Sequence, residues 1–352
     1  MRILIATDAW TPQVNGVVRS LQHTAREARE LGAQIDFLTP GDFRTIPMPT
    51  YPEVRLALAT RSMVARRMDE IGADLVHIAT EGPIGLRARS VCLSRGATFT
   101  TSYHTRFPEY LAARAPVPER LSYAWLRRFH NAGAGIMVST PTLRDELAAR
   151  GFRNIMPWSR GVDATLFRPR TREEIADPAL DFPGPVFLYV GRVAVEKNIS
   201  AFLELDLPGT KVVVGDGPAR AELEAKHPDA RFLGMKQGED LARVYSSADV
   251  FVFPSLTDTF GIVLLEALAS GVPVAAFPVT GPHDVIGAAP ADRPVGVLDN
   301  DLRAAALAAL HIDRADARQF ALGYSWRACT QQFLDNIETA RQAGLPPLAA
   351  AC

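Results

Sequence analysis

Residues 250–277 read VFVFPSLTDTFGIVLLEALASGVPVAAF. An apolar, β-branched and aromatic run, VFVFPS, leads into a turn of small polar residues. An apolar helical run, TFGIVLLEALASG, follows and stops at Gly271, and VPVAAF resumes as a strand. Two strands that are apolar throughout, joined by a helix, make a parallel βαβ unit buried on both faces of its sheet. Glu266 breaks the pattern. It stands amid Leu264, Leu265, Ala267 and Leu268, where a carboxylate is costly to bury unless polar partners meet it. The expectation is that Glu266 lines a cleft, and a ribose with two adjacent hydroxyls is a fitting partner. Thr257, Asp258 and Thr259 surround the expected helix start, where Asp258 alone reads equally well as an N-cap.

The same alternation runs outward in both directions. RILIAT, QIDFLT, DLVHIAT, ATFTTSYH and GIMVST are strands of the first half; VFLYVG, KVVVGDG, ARFLGM and VGVLD join the opening pair in the second. Between them, GVVRSLQHTAREARELG is a helix capped at Gly32, and in STPTLRDELAARG Thr140 is the expected N-cap, Pro141 the first helical residue and Gly151 the stop. The predicted architecture is α/β with two doubly wound Rossmann-like domains facing a cleft, the first over 1–165 and the second over 166–323. A Pro- and charge-rich linker covers 160–185. In such sheets ligands bind beyond the carboxyl ends of the strands, so the residues just after each strand are the candidates.

The chain has 352 residues, 47% hydrophobic and 22% charged, which suits two domains with sizeable cores. Cys92, Cys329 and Cys352 are scattered, so neither a disulfide framework nor a zinc site is expected, and a reducing cytoplasm fits. The apolar run in MRILIATDAW is too short for a signal peptide, and no run approaches a membrane span. Net charge is −1, yet residues 1–165 hold 21 Arg, no Lys and 15 acidic residues, a net of +6, while the remainder holds 17 basic and 24 acidic, a net of −7. Such asymmetry fits an anionic partner for the first domain and equally fits an Arg-rich genome composition. The expected anionic partner is a membrane surface, not nucleic acid.

FLYVGRVAVEKNISAFL places Gly191 and Arg192 at a strand end and Lys197 at the start of the next helix, which together suit a diphosphate; either cation alone also reads as solvated surface. KVVVGDGP ends a strand in a turn that permits close backbone approach. GAGIMVS is no dinucleotide fingerprint, since Val138 stands at the third glycine position and a strand follows. His104 lies just beyond a strand in TSYHTRFPEY, with Arg106 nearby as an acceptor or loop candidate; Asp8 ends the first strand as another such candidate, where a turn-forming role is equally open. In PERLSYAWLRRFHNAG, Leu121, Trp125 and Phe129 recur every four residues, with Arg120, Arg127 and Arg128 beside them. That pattern serves an interfacial helix on anionic lipid or an ordinary core-facing helix.

Taken in order, GVDATLFRP, the Gly-Arg…Glu-Lys-Asn segment, GDGP, and Phe-Gly followed by a Glu-Ala helix resemble the family 4 retaining glycosyltransferases of the GT-B fold, over nearly the whole chain. TDAWTPQVNGVVRSL, DLVHIATEGPIG and TDTFGIVLLEALASG look most like the branch with sulfoquinovosyl- and glucuronosyl-diacylglycerol synthases and GDP-mannose-dependent mannosyltransferases. That family has two acidic residues separated by seven, usually both Glu; here they are Asp258 and Glu266. The resemblance implies that Glu266 binds the nucleotide ribose and that Asp258 lies by the donor sugar. It also implies that Phe260 and Gly261 offer backbone N–H groups, and that Arg192 and Lys197 bind the donor diphosphate. Asn15 and Gly16 would bring backbone close to phosphate and acceptor, and His104 would stand near the reacting sugar. YSWRACTQQFLDNIETA resembles the family's last helix, which implies that a helix over 324–342 crosses back to the first domain with Trp326 as its anchor.

The implied activity is metal-independent hexosyl transfer, without cofactor, from a nucleotide diphosphate sugar to a membrane lipid such as diacylglycerol. UDP-glucose or UDP-glucuronic acid is the favoured donor and GDP-mannose the alternative, with a soluble sugar acceptor open. The place is the inner face of the cytoplasmic membrane. A two-lobed sugar-binding protein should carry an export signal, an oxidoreductase should carry a glycine fingerprint after its first strand, and a sugar-nucleotide epimerase should need no acceptor.

Overall fold

The computed structural model describes residues 1–13, 15–48, 51–112, 117–175 and 177–344. The chain forms two compact units. One comprises Met1–Ser159 with Trp326–Cys352, the other Arg160–Ser325. The chain leaves the first unit six residues before the expected boundary, because the backbone of Val162 bridges to Ser325 and Val162 N–H donates to the Tyr324 carbonyl at 2.9 Å. That pairing ties the start of the linker to the end of the second unit.

The first unit is built on six parallel strands: β1 (Arg2–Ala6), β2 (Gln34–Leu38), β5 (Leu75–Ile78), β6 (Phe99–Ser102), β7 (Gly135–Val138) and β8 (Ile155–Pro157). Their order is β2-β1-β5-β6-β7-β8. An antiparallel hairpin of β3 (Thr45–Met48) and β4 (Tyr51–Ala57) lies outside this sheet. β5, β6 and β7 are buried along their whole length, as strands covered on both faces should be, and the polar side chains among them meet one another, His77 lying within 2.8 Å of both the Thr100 and Ser102 hydroxyls. Helix Gly16–Glu30 begins where the Asn15 side chain accepts the Val18 N–H at 3.0 Å and ends before Gly32, whose φ is +80°.

Helix Trp326–Ala343 packs in this unit. Trp326, Cys329, Thr330, Phe333, Leu334, Ile337 and Ala340 are buried at the three- and four-residue spacing of one helix face. Trp326 stacks on His23 at 4.6 Å between ring centroids, and Phe333 packs against His77 and Trp158.

The second unit repeats the plan with β9 (Val186–Val190), β10 (Thr210–Val214), β11 (Arg231–Phe232), β12 (Val250–Phe253), β13 (Val274–Ala276) and β14 (Gly296–Leu298), in the order β11-β10-β9-β12-β13-β14, all parallel. Its first strand lies in the middle and the chain winds outward both ways, so the strand order reverses between β9 and β12. Backbone loops diverge at such a point and leave a crevice at the strands' carboxyl ends. In the first unit the reversal lies between β1 and β5.

Candidate active site

In the second unit, the loops that follow β9 and β12 are bonded to each other. Lys197 Nζ donates to both oxygens of Asp258, at 2.7 and 2.9 Å, with the two side chains 20% and 19% exposed. Asn198 Nδ2 donates to the Pro254 carbonyl at 3.1 Å. Lys197 does not open a long helix: it ends a 3₁₀ turn, Val195–Lys197, and Asn198, at φ +52°, separates it from the five-residue helix Ile199–Leu203. Arg192 is half-buried at the end of β9, and its carbonyl accepts the Tyr189 hydroxyl at 2.9 Å. The Gly-Asp-Gly-Pro turn after β10 closes on the same strand ends, since a side chain at Gly215 would collide with the Gly191 carbonyl.

The Glu266 helix is Ile262–Ala269, so it starts later than the Thr257–Thr259 turn. Gly261 is its N-cap at φ +84°, a left-handed conformation that glycine adopts without strain, and no side chain caps it. Asp258 is therefore not a cap; Lys197 holds it instead. Phe260 is buried, and Gly281, at the start of the helix after β13, lies against the Phe260 and Asp258 carbonyls. Glu266, expected to line a cleft, is only 3% exposed. Its partner is the fully buried Tyr245, whose hydroxyl donates to Oε2 at 2.9 Å. A buried carboxylate is tolerable in this apolar helix because a polar partner meets it.

In the first unit the candidates have local duties. Asp8 ends β1 and spans the switch point: Oδ1 accepts the Ile84 N–H at 2.8 Å, and Oδ2 accepts the Thr80 hydroxyl at 2.9 Å and the Gly85 N–H at 3.3 Å. These N–H groups open helix Pro83–Arg95, whose N-cap Gly82 has no side chain to offer. Burial pushes the Asp8 carboxyl above its ordinary range, and the three hydrogen bonds oppose that shift. Asp8→Ala is expected to cost about 2 kcal/mol, because a capping carboxylate is lost and buried N–H groups are left without acceptors. Urea unfolding checks this, and an unchanged midpoint would show the cap to be dispensable.

Asn15 uses its side-chain oxygen as the cap of the helix that Gly16 begins. Arg106 is buried and pairs with Glu109 at 3.2 Å and Glu146 at 2.9 Å, which makes it a tie between local elements rather than an accessible loop cation. His104, half-buried just past β6, meets the Trp158 ring edge-on at 5.6 Å. Beside these stands a pair that the sequence did not announce, His130 Nε2 to Glu81 Oε1 at 3.1 Å, with His130 Nδ1 on the Thr101 hydroxyl at 2.9 Å.

The membrane-contact candidates lie on helix Glu119–His130 and divide. Leu121 and Trp125 are 58% and 42% exposed, and Arg120 and Arg128 are exposed with them. Phe129 is buried in the core, and Arg127 donates to the Arg150 carbonyl at 3.0 Å. Each four-residue step advances about 40° around a helix, so the row Leu121, Trp125, Phe129 drifts by about 80°, enough to carry its last member from the exposed side into the core. Among the described residues no helix is long and apolar enough to cross a membrane.

Residues 14–166 match Glycosyltransferase Family 4 and residues 184–312 match Glycosyl transferases group 1. A GDP-mannose-dependent alpha-mannosyltransferase of Mycobacterium tuberculosis is 30% identical, with 97% of each chain covered. The chain belongs to the family 4 glycosyltransferases. This glycosyltransferase is also 26% identical to the alpha-monoglucosyldiacylglycerol synthase of Streptococcus pneumoniae, over 88% of this chain and 78% of that one. Its fold is GT-B: sucrose-phosphate synthase from Thermosynechococcus elongatus superposes with a TM-score of 0.76 at 19% identity, covering 97% of this chain and 99% of that chain.

Within the glycosyltransferase, Lys197 and Asp258 come together, on loops that follow the same two strands as Arg192 and Phe260–Gly261. Two contributors were missed. Tyr245 lies twenty-one positions from Glu266, and nothing in VYSSAD marks its hydroxyl as a carboxylate's partner. Asn198 could have been found, because Asn is among the few residues that accept a left-handed conformation and so can turn the chain after Lys197.

Proposed function

We propose that this glycosyltransferase moves a hexosyl group, with retention of configuration, from a nucleoside diphosphate sugar to a membrane lipid. The observation that carries the reading is the meeting of Lys197 and Asp258 where the strand order reverses between β9 and β12, with Arg192 on the Lys197 loop. Cations at that point suit a diphosphate, and a carboxylate next to them suits sugar hydroxyls.

In this reading Arg192, Lys197 and the N–H groups at the start of helix Ile262–Ala269 take up the charge that develops on the departing diphosphate, where other enzymes use a metal ion. Glu266 accepts from the ribose hydroxyls. Asp258 orients the sugar, and the acceptor hydroxyl attacks from the face the diphosphate leaves, giving its proton to a departing phosphate oxygen. GDP-mannose is the first donor to test, because the mannosyltransferase relative is matched over 97% of its length. UDP-glucose and UDP-glucuronic acid follow, supported by the diacylglycerol synthase relative.

The test is incubation with each labelled donor and vesicles containing diacylglycerol and anionic lipid, followed by lipid extraction and mass spectrometry. A lipid heavier by one hexosyl unit supports the reading. Label transferred to no lipid, from any of the three donors, counts against a lipid acceptor.

The lipid acceptor draws on Leu121 and Trp125, exposed with Arg120 and Arg128, in the unit that carries the arginine excess. A basic residue near an anionic membrane contributes about 1 kcal/mol, so reversing two of them should weaken vesicle binding by well over tenfold. The Arg120→Glu, Arg128→Glu double variant should sediment with neutral vesicles as the wild type does and lose its preference for anionic ones. Unchanged sedimentation with anionic vesicles at low salt would remove this helix from the account. We place the reaction at the inner face of the cytoplasmic membrane.

A further inference from the structure

We propose that Asp258 competes with the donor diphosphate for Lys197, so that the ion pair works as an exchange latch that favours the intact donor and expels the spent nucleotide. The inference rests on the reading above that Lys197 meets the diphosphate, and it adds a direction to the binding events.

Both oxygens of Asp258 are already engaged by Lys197 Nζ, at 2.7 and 2.9 Å, and each side chain is about four-fifths withdrawn from water. Lys197 in that position is neutralised as well as placed. The ammonium has three N–H donors and two point at Asp258, so a diphosphate that draws the charge to itself competes with the carboxylate for it. The loops have little reason to move during the exchange, since Asn198 is bonded to the Pro254 carbonyl and holds the segment after Lys197 against the loop that carries Asp258. The flexible lysine side chain is then the moving part.

The consequence differs between donor and product. When the whole nucleotide sugar binds, the carboxylate that has lost Lys197 gains sugar hydroxyls, and no partly buried charge is left without a partner. When only the nucleoside diphosphate remains, Asp258 has no sugar to meet, and leaving a withdrawn carboxylate unpaired is costly. Recapture of Lys197 by Asp258 therefore opposes retention of the product. Removing the negative charge of residue 258 should tighten the product complex, the opposite of what is expected if Asp258 merely holds Lys197 in place for the phosphate.

The experiment is calorimetric titration of GDP and of UDP into the wild type, Asp258→Asn, Asp258→Ala, Lys197→Ala and the Lys197→Ala, Asp258→Asn double variant, each first checked for an intact thermal transition. For the diphosphate that binds the wild type, both Asp258 variants should bind about tenfold tighter, within the usual range of coupling between linked sites. In the Lys197→Ala background the Asp258→Asn change should have no effect, because the competition acts through that ammonium. Equal or weaker binding to Asp258→Asn overturns the latch and leaves Asp258 as a positioning residue. A tightening that survives in the double variant overturns it too, by assigning the gain to general charge. Failure of the wild type to bind either diphosphate overturns the donor-site reading itself, and so is distinguishable from failure of the latch.

Discussion

Replacing Lys197 by alanine is expected to lower kcat/KM for the nucleotide sugar by about 10²- to 10³-fold, the scale on which removal of one well-placed electrostatic stabiliser acts. The reason is that charge develops on the leaving diphosphate, and an ammonium at that point interacts more strongly with the transition state than with the bound donor. The fall should therefore appear in kcat as well as in KM. The fold should survive with a somewhat lower melting temperature: Asp258, four-fifths withdrawn from water, loses its partner, but its one-fifth exposure lets water meet part of the carboxylate. Steady-state kinetics beside a thermal melt separate the two effects. Unchanged kinetics would remove Lys197 from the diphosphate, whereas a large fall in melting temperature would make the pair chiefly structural.

Glu266→Gln is the second large effect. Its carboxylate is buried, and the Tyr245 hydroxyl that donates to it can donate equally to an amide oxygen, so the substitution keeps shape and partner while removing charge. If the remaining acceptor capacity serves the two ribose hydroxyls, charge-assisted bonds become neutral ones, and nucleotide affinity should fall about 10- to 100-fold. The discriminating readout is the 2′-deoxynucleotide, for which the wild type and Glu266→Gln should differ much less. An equal loss for ribo- and deoxynucleotide would mean that Glu266 supports the packing of its helix and does not touch the sugar of the nucleotide.

Both residues show where the sequence was readable and where it was not. VFLYV, VFVF and VAA announce parallel strands because a sheet covered on both faces needs unbroken apolar runs, and they became β9, β12 and β13. The hairpin of β3 and β4 escaped notice because Pro47 and Pro52 interrupt it, and proline is tolerated only where a strand edge needs no N–H donor. β8 was missed for a related reason, being three residues that end in Pro157 at the edge of its sheet.

In the site, position was legible and pairing was not. Residues after strand ends could be named from the βα pattern, but the bond from Lys197 to Asp258 joins loops sixty-one residues apart, and only the adjacency of β9 and β12 brings them together. The start of the Glu266 helix was misplaced because Asp258 and its flanking threonines are good caps; the chain instead turns at Gly261 and leaves Asp258 to Lys197. Asp8 was read as a candidate for the acceptor side or a turn, and its bonds to Thr80, Ile84 and Gly85 depend on β5 lying next to β1.

The most direct test of the donor site is a crystal structure of the protein with the nucleoside diphosphate that binds it, GDP or UDP. The account predicts the diphosphate within hydrogen-bond distance of Lys197 Nζ and Arg192, the ribose hydroxyls at Glu266, and the distance between Lys197 Nζ and the Asp258 carboxylate increased from its present 2.7 Å. A nucleotide bound away from the ends of β9 and β12, with Lys197 still on Asp258, would contradict it.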